Sequence, residues 1–238
     1  MSTRILGGLT PARCSWQDNL AEPAPADPRL GLLILAGGSS TRMGSDKPGH
    51  AFPRPQDPPL IRHGVDRLLE LAGPPIIAGR HDYGTGWRLV RDEPGMVGPV
   101  AGLIAGLANA ETDWVLTLAA DLPFPSPLLA TRLLGIALRE PLAQAVVPER
   151  AGRLEPLFAV YRGDAVDDLR TVARQLARPE QGPSLRQTVS GLRLRRVGEP
   201  EWRQWDPEGA SFVNCNTPGE LAAAVKRALA ETDQGGNP

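Results

Sequence analysis

The sequence has few of the features that mark several large classes of protein. It holds two cysteines among 238 residues, and Cys14 and Cys215 form no C-x-x-C motif, which excludes a disulfide framework and favours a reducing cytoplasm. No apolar run reaches the ~18 residues that a membrane helix needs. No apolar region with a small-residue cleavage site, as in a signal peptide, follows the N-terminus. We therefore expect a cytoplasmic protein that does not enter a membrane.

The chain also lacks a strong net charge of either sign. The formal net charge is −1 and no long basic run is present, which argues against a nucleic-acid partner, because nucleic-acid binders carry a basic stripe or face. The three histidines, His50, His63 and His81, lack the spacing of metal ligands. The sequence therefore predicts neither a nucleic-acid interface nor a histidine metal centre.

Lysine is unusually scarce. Lysine and arginine together number 26, and only Lys47 and Lys226 are lysines, so arginine supplies almost every positive charge. Lysine is a compact charge on a flexible stem, whereas arginine is a broad planar fork. Lys226 falls in a helical pattern, as an ordinary surface residue would. Lys47 ends a glycine-rich loop, where a tight phosphate site would favour lysine over arginine.

The most informative segment present is that loop, which runs from Leu35 to Lys47 with the sequence LAGGSSTRMGSDK. It follows an apolar run, Leu30–Leu35, that predicts a buried strand. Paired glycines let backbone N–H groups approach an anion closely, and Arg42 and Lys47 add positive charge. The spacing matches neither the Walker A loop nor the dinucleotide-binding G-x-G-x-x-G motif. We interpret it as a nucleotide-phosphate loop of a third kind.

Strands and helices alternate along most of the chain. Residues 1–29 are rich in proline and lack a sustained apolar period, which predicts a flexible extension before a folded domain at 30–231 and a flexible tail at 232–238. The predicted strands are 30–35, 75–78, 87–90, 114–119, 145–148, 156–161 and 192–197, and the predicted helices are 60–71, 98–109, 125–140, 164–177 and 217–231. This alternation predicts an α/β fold with a mostly parallel central sheet and helices on both faces.

Three groups suited to binding a nucleotide follow predicted strands. The glycine loop follows the first strand, Asp92 the third and Asp121 the fourth. Parallel α/β sheets bind ligands at the carboxyl ends of their strands, so we expect the three groups at one edge. Mg²⁺ takes one or two carboxylates, completed by phosphates and waters. The sequence therefore predicts a site for a nucleotide with a divalent metal.

Four motifs in order resemble those of the molybdenum cofactor guanylyltransferases. They are L-A-G-G-x-S-x-R-M-G-x-D-K at 35–47, G-P-x-A-G at 98–102, D-x-P-F at 121–124 and F-V-N-x-N-T-P at 212–218, and residues 152–157 resemble the family's G-R-x-E-P-L stretch. The resemblance covers nearly the whole predicted domain. It implies a Rossmann-like nucleotidyltransferase fold and Mg²⁺-dependent transfer of GMP from GTP to the terminal phosphate of molybdopterin, with release of pyrophosphate. It also implies other molybdenum cofactor assembly proteins and molybdoenzyme chaperones as partners.

The resemblance assigns roles to the residues that match its motifs. The nucleotide-binding residues would be Leu35, Ala36, Gly37, Gly38, Lys47, Asp92 and Asp121. Asp121 would also bind Mg²⁺, and Asn214 and Asn216 would lie near the pterin substrate. In the reaction itself two polyanions must approach each other, so Lys47, Arg42 and the metal at Asp121 would act by offsetting their repulsion. The chain departs from some relatives after its second strand, where it has Ile77-Ala78-Gly79 and no asparagine.

Each site residue also has an ordinary structural explanation. Asp121 could cap the helix predicted near Pro125, and Asp92 could simply end a strand. Asn214 and Asn216 could be turn residues. The sequence leaves these alternatives open.

Three other functions are compatible with the motifs. A sister enzyme would use CTP, but cytidylyl members tend to read L-A-A-G, so Gly37 favours GTP. A sugar-phosphate nucleotidyltransferase usually carries longer insertions than 238 residues allow. A non-catalytic molybdopterin carrier would have little use for Lys47 and Asp121 together.

Overall fold

The structure is a computed structural model that describes residues 30–37, 47–177 and 182–235. The predicted site residues Gly38 and Arg42 lie outside these ranges, as do the extension at 1–29 and the last three residues. The backbone of Lys47 is described, but its side chain is not.

Eight strands and seven α-helices form the described fold. The strands are β1 (Leu30–Leu35), β2 (Ile76–Ala78), β3 (Arg88–Val90), β4 (Trp114–Ala119), β5 (Ala145–Arg150), β6 (Arg153–Leu154), β7 (Phe158–Arg162) and β8 (Leu194–Val197). The helices are α1 (Leu60–Asp66), α2 (Pro99–Ala108), α3 (Pro127–Ala137), α4 (Val166–Leu176), α5 (Leu185–Ser190), α6 (Glu199–Trp202) and α7 (Pro218–Gly235). None of the helices in the described ranges combines the length and the apolar character that spanning a bilayer requires.

The strands form one twisted layer with the order β3-β2-β1-β4-β7-β5-β6, and β8 pairs with β5. The pairs among β1 to β4 are parallel. Strand β7 is antiparallel to both β4 and β5, so β5 runs in the same direction as β4. The predicted α/β fold with a mostly parallel sheet is confirmed, with β7 reversed inside it.

Strand β1 shows why the sheet is covered on both faces. Its alternate side chains enter two separate cores, because successive residues of a strand point to opposite faces. Leu32 and Ile34 pack in the core that contains α1 and α3. Leu33 and Leu35 pack in the core that contains α2 and α4. A strand buried on both faces reads as a continuous apolar run, which is what made β1 visible in the sequence.

Some predicted boundaries are wrong. The helix predicted at 60–71 ends at Asp66, and the chain then forms turns in which Leu68 and Leu71 each donate to the carbonyl three residues earlier. Those leucines still face the core, so their apolar spacing imitated a longer helix. Helices α5 and α6 were not predicted, because six and four residues are too few to show a helical period.

The two ends of the last helix differ in how well they were predicted. Thr217 Oγ1 accepts from Glu220 N at 3.2 Å, and Glu220 Oε2 accepts from Thr217 N at 2.8 Å. The sequence T-P-G-E at 217–220 has the T-x-x-E spacing that predicts this reciprocal capping box. The helix continues to Gly235, four residues beyond the predicted domain end at 231.

We expect Gly64→Ala to destabilise the fold. Gly64 lies in α1, and a Cβ there would stand 2.5 Å from the backbone carbonyl oxygen of Leu122. Either helix α1 or the chain that follows β4 must therefore shift. Overpacking of this kind costs about 1–3 kcal/mol, and the melting temperature should fall by about 2–4 °C for each kcal/mol. Differential scanning calorimetry measures the change.

Gly135→Ala is the matched control in α3, because a Cβ there meets nothing closer than 3.8 Å. Alanine has the higher helix propensity, so this variant should melt at or above the wild-type temperature. A Gly64→Ala protein as stable as Gly135→Ala would contradict the close contact between α1 and Leu122.

Candidate active site

The carboxyl ends of β3, β2, β1 and β4 meet at one edge of the sheet, which we call the active-site edge. Backbone hydrogen bonds continue past the strands there. Ala36 N donates to Ala78 O at 2.9 Å, Gly79 N donates to Val90 O at 3.0 Å, and Ala120 N donates to Leu35 O at 3.1 Å. The residues after these strands are therefore held at fixed positions beside one another.

Asp92 follows β3 and turns its carboxylate towards two glycines. A Cβ on Gly37 would lie 3.3 Å from Asp92 Oδ1, and a Cβ on Gly102 would lie 3.4 Å from the same oxygen. Asp92 Oδ1 is buried and accepts no hydrogen bond within the described part of the chain. A buried acceptor without a donor is costly, so this oxygen is a ready position for a ligand N–H or O–H group.

Burial also sets the charge properties of this carboxylate. Loss of hydration raises the pKa of Asp92 above its usual 3.8, and the positive charge of Arg80 opposes the rise in part. Arg80 was not singled out in the sequence, although its position two residues after β2 would have placed it at the same edge. The Asp92 carboxylate therefore lies within the electrostatic influence of Arg80 at the β2–β3 side of the site.

Gly79 follows β2 and ends the stretch at 77–79, which contains no asparagine. A Cβ on Gly79 would lie 3.1 Å from the carbonyl carbon and oxygen of Ala36. Glycine therefore allows the chain after β2 to approach the chain after β1. The N–H of Gly79 is used by Val90, so it does not replace the missing side-chain amide.

Asp121 lies at the end of β4, and the C-terminal motif lies against it. Cys215 N donates to Asp121 O at 3.0 Å, and Cys215 is fully buried. Asn214 is half-buried and Asn216 is exposed. Residues nearly one hundred positions apart in the sequence are thus adjacent, and both asparagines flank the point of contact.

The structure also tests the explanation of Asp121 as a helix cap. Helix α3 begins at Pro127 with Ser126 as its N-cap, and Ser126 Oγ accepts from Leu129 N at 3.2 Å. Asp121 therefore does not cap α3, and that alternative is wrong.

Asp92 and Asp121 lie on opposite sides of the active-site edge. Three strand spacings separate β3 from β4, which amounts to about 14 Å. No cluster of three or more His, Cys, Asp or Glu residues that could hold a metal occurs among the described residues. A single carboxylate such as Asp121 nevertheless suits Mg²⁺, which completes its shell with phosphate and water oxygens.

The structure therefore brings most of the predicted site residues to one edge. Those located there are Leu35, Ala36, Gly37, Asp92, Asp121, Asn214 and Asn216. Lys47 begins a short 3₁₀ helix, Lys47–Gly49. Gly102 was part of a predicted motif, and only the structure shows that it faces Asp92.

Sequence comparisons identify similar proteins. Residues 32–193 match the family model of the MobA-like NTP transferase domain. A probable molybdenum cofactor guanylyltransferase of Chloroflexus aggregans is 32% identical over 205 residues, covering 83% of this chain and 94% of that protein. The molybdenum cofactor guanylyltransferase of Burkholderia orbicola is 32% identical over 219 residues, covering 86% of this chain and 100% of that protein.

Solved structures share the fold at lower identity. Molybdopterin-guanine dinucleotide biosynthesis protein A of Archaeoglobus fulgidus superposes with a TM-score of 0.69 and 22% identity, covering 84% of this chain and 99% of that one. A nucleotidyl transferase of Methanothermobacter has a TM-score of 0.62 and 19% identity, with coverage of 85% and 99%. The 2-C-methyl-D-erythritol 4-phosphate cytidylyltransferase of Thermus thermophilus has a TM-score of 0.57 and 19% identity, with coverage of 84% and 98%.

Proposed function

The chain belongs to the MobA-like NTP transferase domain family and is a nucleotidyltransferase, and from this premise we propose that it transfers GMP from GTP to the terminal phosphate of molybdopterin. Pyrophosphate is the leaving group, and the product is the guanine dinucleotide form of the cofactor. The observation that carries the proposal is the buried Oδ1 of Asp92, which has no donor among the described residues and faces two glycines at the same edge as Asp121.

The nucleotide lies along the active-site edge in this proposal. Its nucleoside end donates to Asp92 beside Gly37, and its α-phosphate lies near Asp121. The separation of about 14 Å between the two strands suits a nucleotide that extends from base to phosphates. Leu35, Ala36 and Gly38 are the further residues that we propose to bind the nucleotide.

The glycine at position 37 supports GTP over CTP. A Cβ at this position would stand 3.3 Å from Asp92 Oδ1, closer than an ordinary van der Waals contact, and would fill space in front of it. Cytidylyl relatives tend to have alanine there. Glycine leaves room for the larger purine to reach the acceptor.

The reaction proceeds by charge compensation and positioning. The acceptor phosphate is already an anion, so no strong general base is needed, and the obstacle is repulsion between two polyanions. Lys47 and Arg42 supply positive charge to the triphosphate. Mg²⁺ held by Asp121 would stabilise charge on the reacting phosphate.

The enzyme also needs a metal ion, a cellular location and partner proteins. Mg²⁺ is the proposed metal because a lone carboxylate beside a triphosphate gives oxygen ligands only. The cytoplasm is the proposed location, and molybdenum cofactor assembly proteins and molybdoenzyme chaperones are the proposed partners. The segment at 1–29 and the residues after the last helix are proposed to lie outside the catalytic domain.

Pyrophosphate release tests the function directly. The full chain is incubated with Mg²⁺, molybdopterin and either GTP or CTP, and pyrophosphate and dinucleotide are measured. Release is expected only with GTP, and only when the acceptor and the metal are both present. A preference for CTP would overturn the base assignment. Binding of molybdopterin without turnover would indicate a carrier, and turnover with a sugar phosphate would indicate a different acceptor.

Asp92→Asn should weaken GTP binding and stabilise the fold at the same time. Loss of a charge-assisted hydrogen bond should raise the KM for GTP about 10- to 100-fold. The folded-state pKa of Asp92 lies above its unfolded value, so ionisation weakens the fold as pH rises through that pKa. Removing the charge should therefore raise the melting temperature at neutral pH.

The pH profile separates this effect from simple disruption. In the wild type, GTP affinity should fall as pH decreases through the raised pKa of Asp92, whereas in Asp92→Asn this dependence should be absent. Asp164→Asn is the control, since Asp164 pairs with Arg162 at 2.7 Å at the opposite end of the sheet. A wild-type KM for GTP in Asp92→Asn would remove Asp92 from the nucleotide site.

A further inference from the structure

The hairpin formed by β5 and β6 reaches the active-site edge on the far side of Asp121 from Asp92. Strand β5 runs in the same direction as β4, so both carboxyl ends point the same way. The chain that returns from the hairpin lies against β4, because Ala119 N donates to Leu157 O at 3.0 Å. Ala119 is two residues before Asp121. The segment that leaves the hairpin therefore passes close to Asp121, and the hairpin itself lies at the same edge beyond β7.

The hairpin turn fixes two arginines opposite each other. Ala151 and Gly152 form the two-residue turn with φ values of 49° and 72°, the left-handed region that a tight hairpin of this type requires. Arg150 and Arg153 are directly paired in the strand register. Like charges at directly opposite positions destabilise a β-ladder. The hairpin thus retains an unfavourable pair of charges at the edge of the sheet.

The nearby carboxylate does not balance these charges. Glu155 Oε1 lies 3.0 Å from Arg150 Nε, and its other oxygen lies 3.7 Å from Arg186 Nη2. Arg153 is exposed and forms no ion pair within the described residues. Glu199 also reaches the turn, where its Oε2 accepts from Ala151 N at 3.3 Å. Arg153 is therefore the guanidinium of the hairpin that lacks a carboxylate partner among the described residues, and its charge is available to an anion.

The same cluster contacts the C-terminal motif. The guanidinium carbon of Arg150 lies 5.8 Å from the ring centre of Phe212, and Phe212 is two residues before Asn214. The chain then reaches Cys215, whose N–H is bonded to Asp121 O. Arg150, the asparagine motif and Asp121 are therefore linked by consecutive contacts through Phe212 and Cys215.

We propose that Arg153, with Arg150 beside it, binds the phosphate of the acceptor during transfer. The inference rests on the proposed function, since an in-line displacement requires the acceptor oxygen opposite the leaving pyrophosphate. The nucleotide occupies the span between Asp92 and Asp121, so the acceptor enters from the β5–β6 side. A planar guanidinium matches a phosphate with two parallel hydrogen bonds. Arg153 is a substrate-binding residue that fixes the acceptor rather than the nucleotide.

Steady-state kinetics with molybdopterin test the assignment. Arg153→Ala should raise the KM for molybdopterin about 10- to 100-fold, the effect of losing a charge-assisted hydrogen bond. Its KM for GTP, its melting temperature and its turnover at saturating acceptor should stay near the wild-type values. Arg153→Lys should restore part of the affinity, because it keeps the charge but not the fork.

Arg132→Ala is the matched control, since Arg132 is an exposed arginine in α3 that forms no ion pair within the described residues. The KM for molybdopterin should also rise with salt in the wild type, and less steeply in Arg153→Ala. A wild-type acceptor KM in an active Arg153→Ala enzyme would overturn this assignment alone. Failure of the wild type to release pyrophosphate from GTP with molybdopterin would instead overturn the proposed function.

Discussion

Asp121→Asn is expected to lower turnover on the order of 10³-fold and to leave little dependence on Mg²⁺. An amide has no charge with which to hold the metal, and a bound metal supplies several kcal/mol of charge stabilisation in the transition state. The fold should survive, because Asp121 is tied to Cys215 through its backbone carbonyl, which the substitution retains. Turnover is measured by pyrophosphate release during a Mg²⁺ titration.

Asp113→Asn is the matched control for this prediction. Asp113 is exposed and lies just before β4, so the two variants remove one carboxylate from opposite ends of the same strand. Asp113→Asn should titrate with Mg²⁺ as the wild type does. If Asp121→Asn gave the same titration, Asp121 would not be the metal ligand.

Lys47→Ala is expected to lower turnover about 10²- to 10³-fold, which is the usual cost of losing one preorganised donor at a developing charge. Position 47 holds one of only two lysines in a chain that otherwise uses arginine. Lys47→Arg should recover only part of the activity, because a broad fork does not fit where a compact charge does. Single-turnover pyrophosphate release measures the effect on the chemical step.

The second lysine provides the control. Lys226 is exposed in α7, and Lys226→Ala should turn over at the wild-type rate. Near-full activity of Lys47→Ala would show that arginines or the metal alone neutralise the triphosphate, and it would remove Lys47 from the catalytic group.

Much of the fold was accessible from the sequence because its signals are local. The bounds of β1 and β4 agree with the prediction residue for residue, since strands buried on both faces are unbroken apolar runs. The capping-box residues Thr217 and Glu220 indicate the start of α7, which the structure places at Pro218. Short elements such as α5 and the two-residue strand β6 carry too few residues for a period, so they could not be predicted.

The candidate site was likewise predictable from the sequence only in part. Residue type and position after a strand singled out Gly37, Asp92 and Asp121. Their mutual arrangement was expected only from the general rule for parallel sheets. That rule gives an edge, but it does not give the buried oxygen of Asp92 or the bond between Cys215 and Asp121.

The amino-acid sequence by itself determined the chemistry: a glycine-rich loop with a rare lysine, carboxylates after strands, and an asparagine pair before the last helix. Tertiary structure alone decided which of these groups meet. It placed Gly102 against Asp92, Cys215 against Asp121, and the segment that leaves the arginine hairpin beside the end of β4. The physical reason is that chain-local patterns specify which side of an element is buried, whereas strand order and direction come from packing between distant segments.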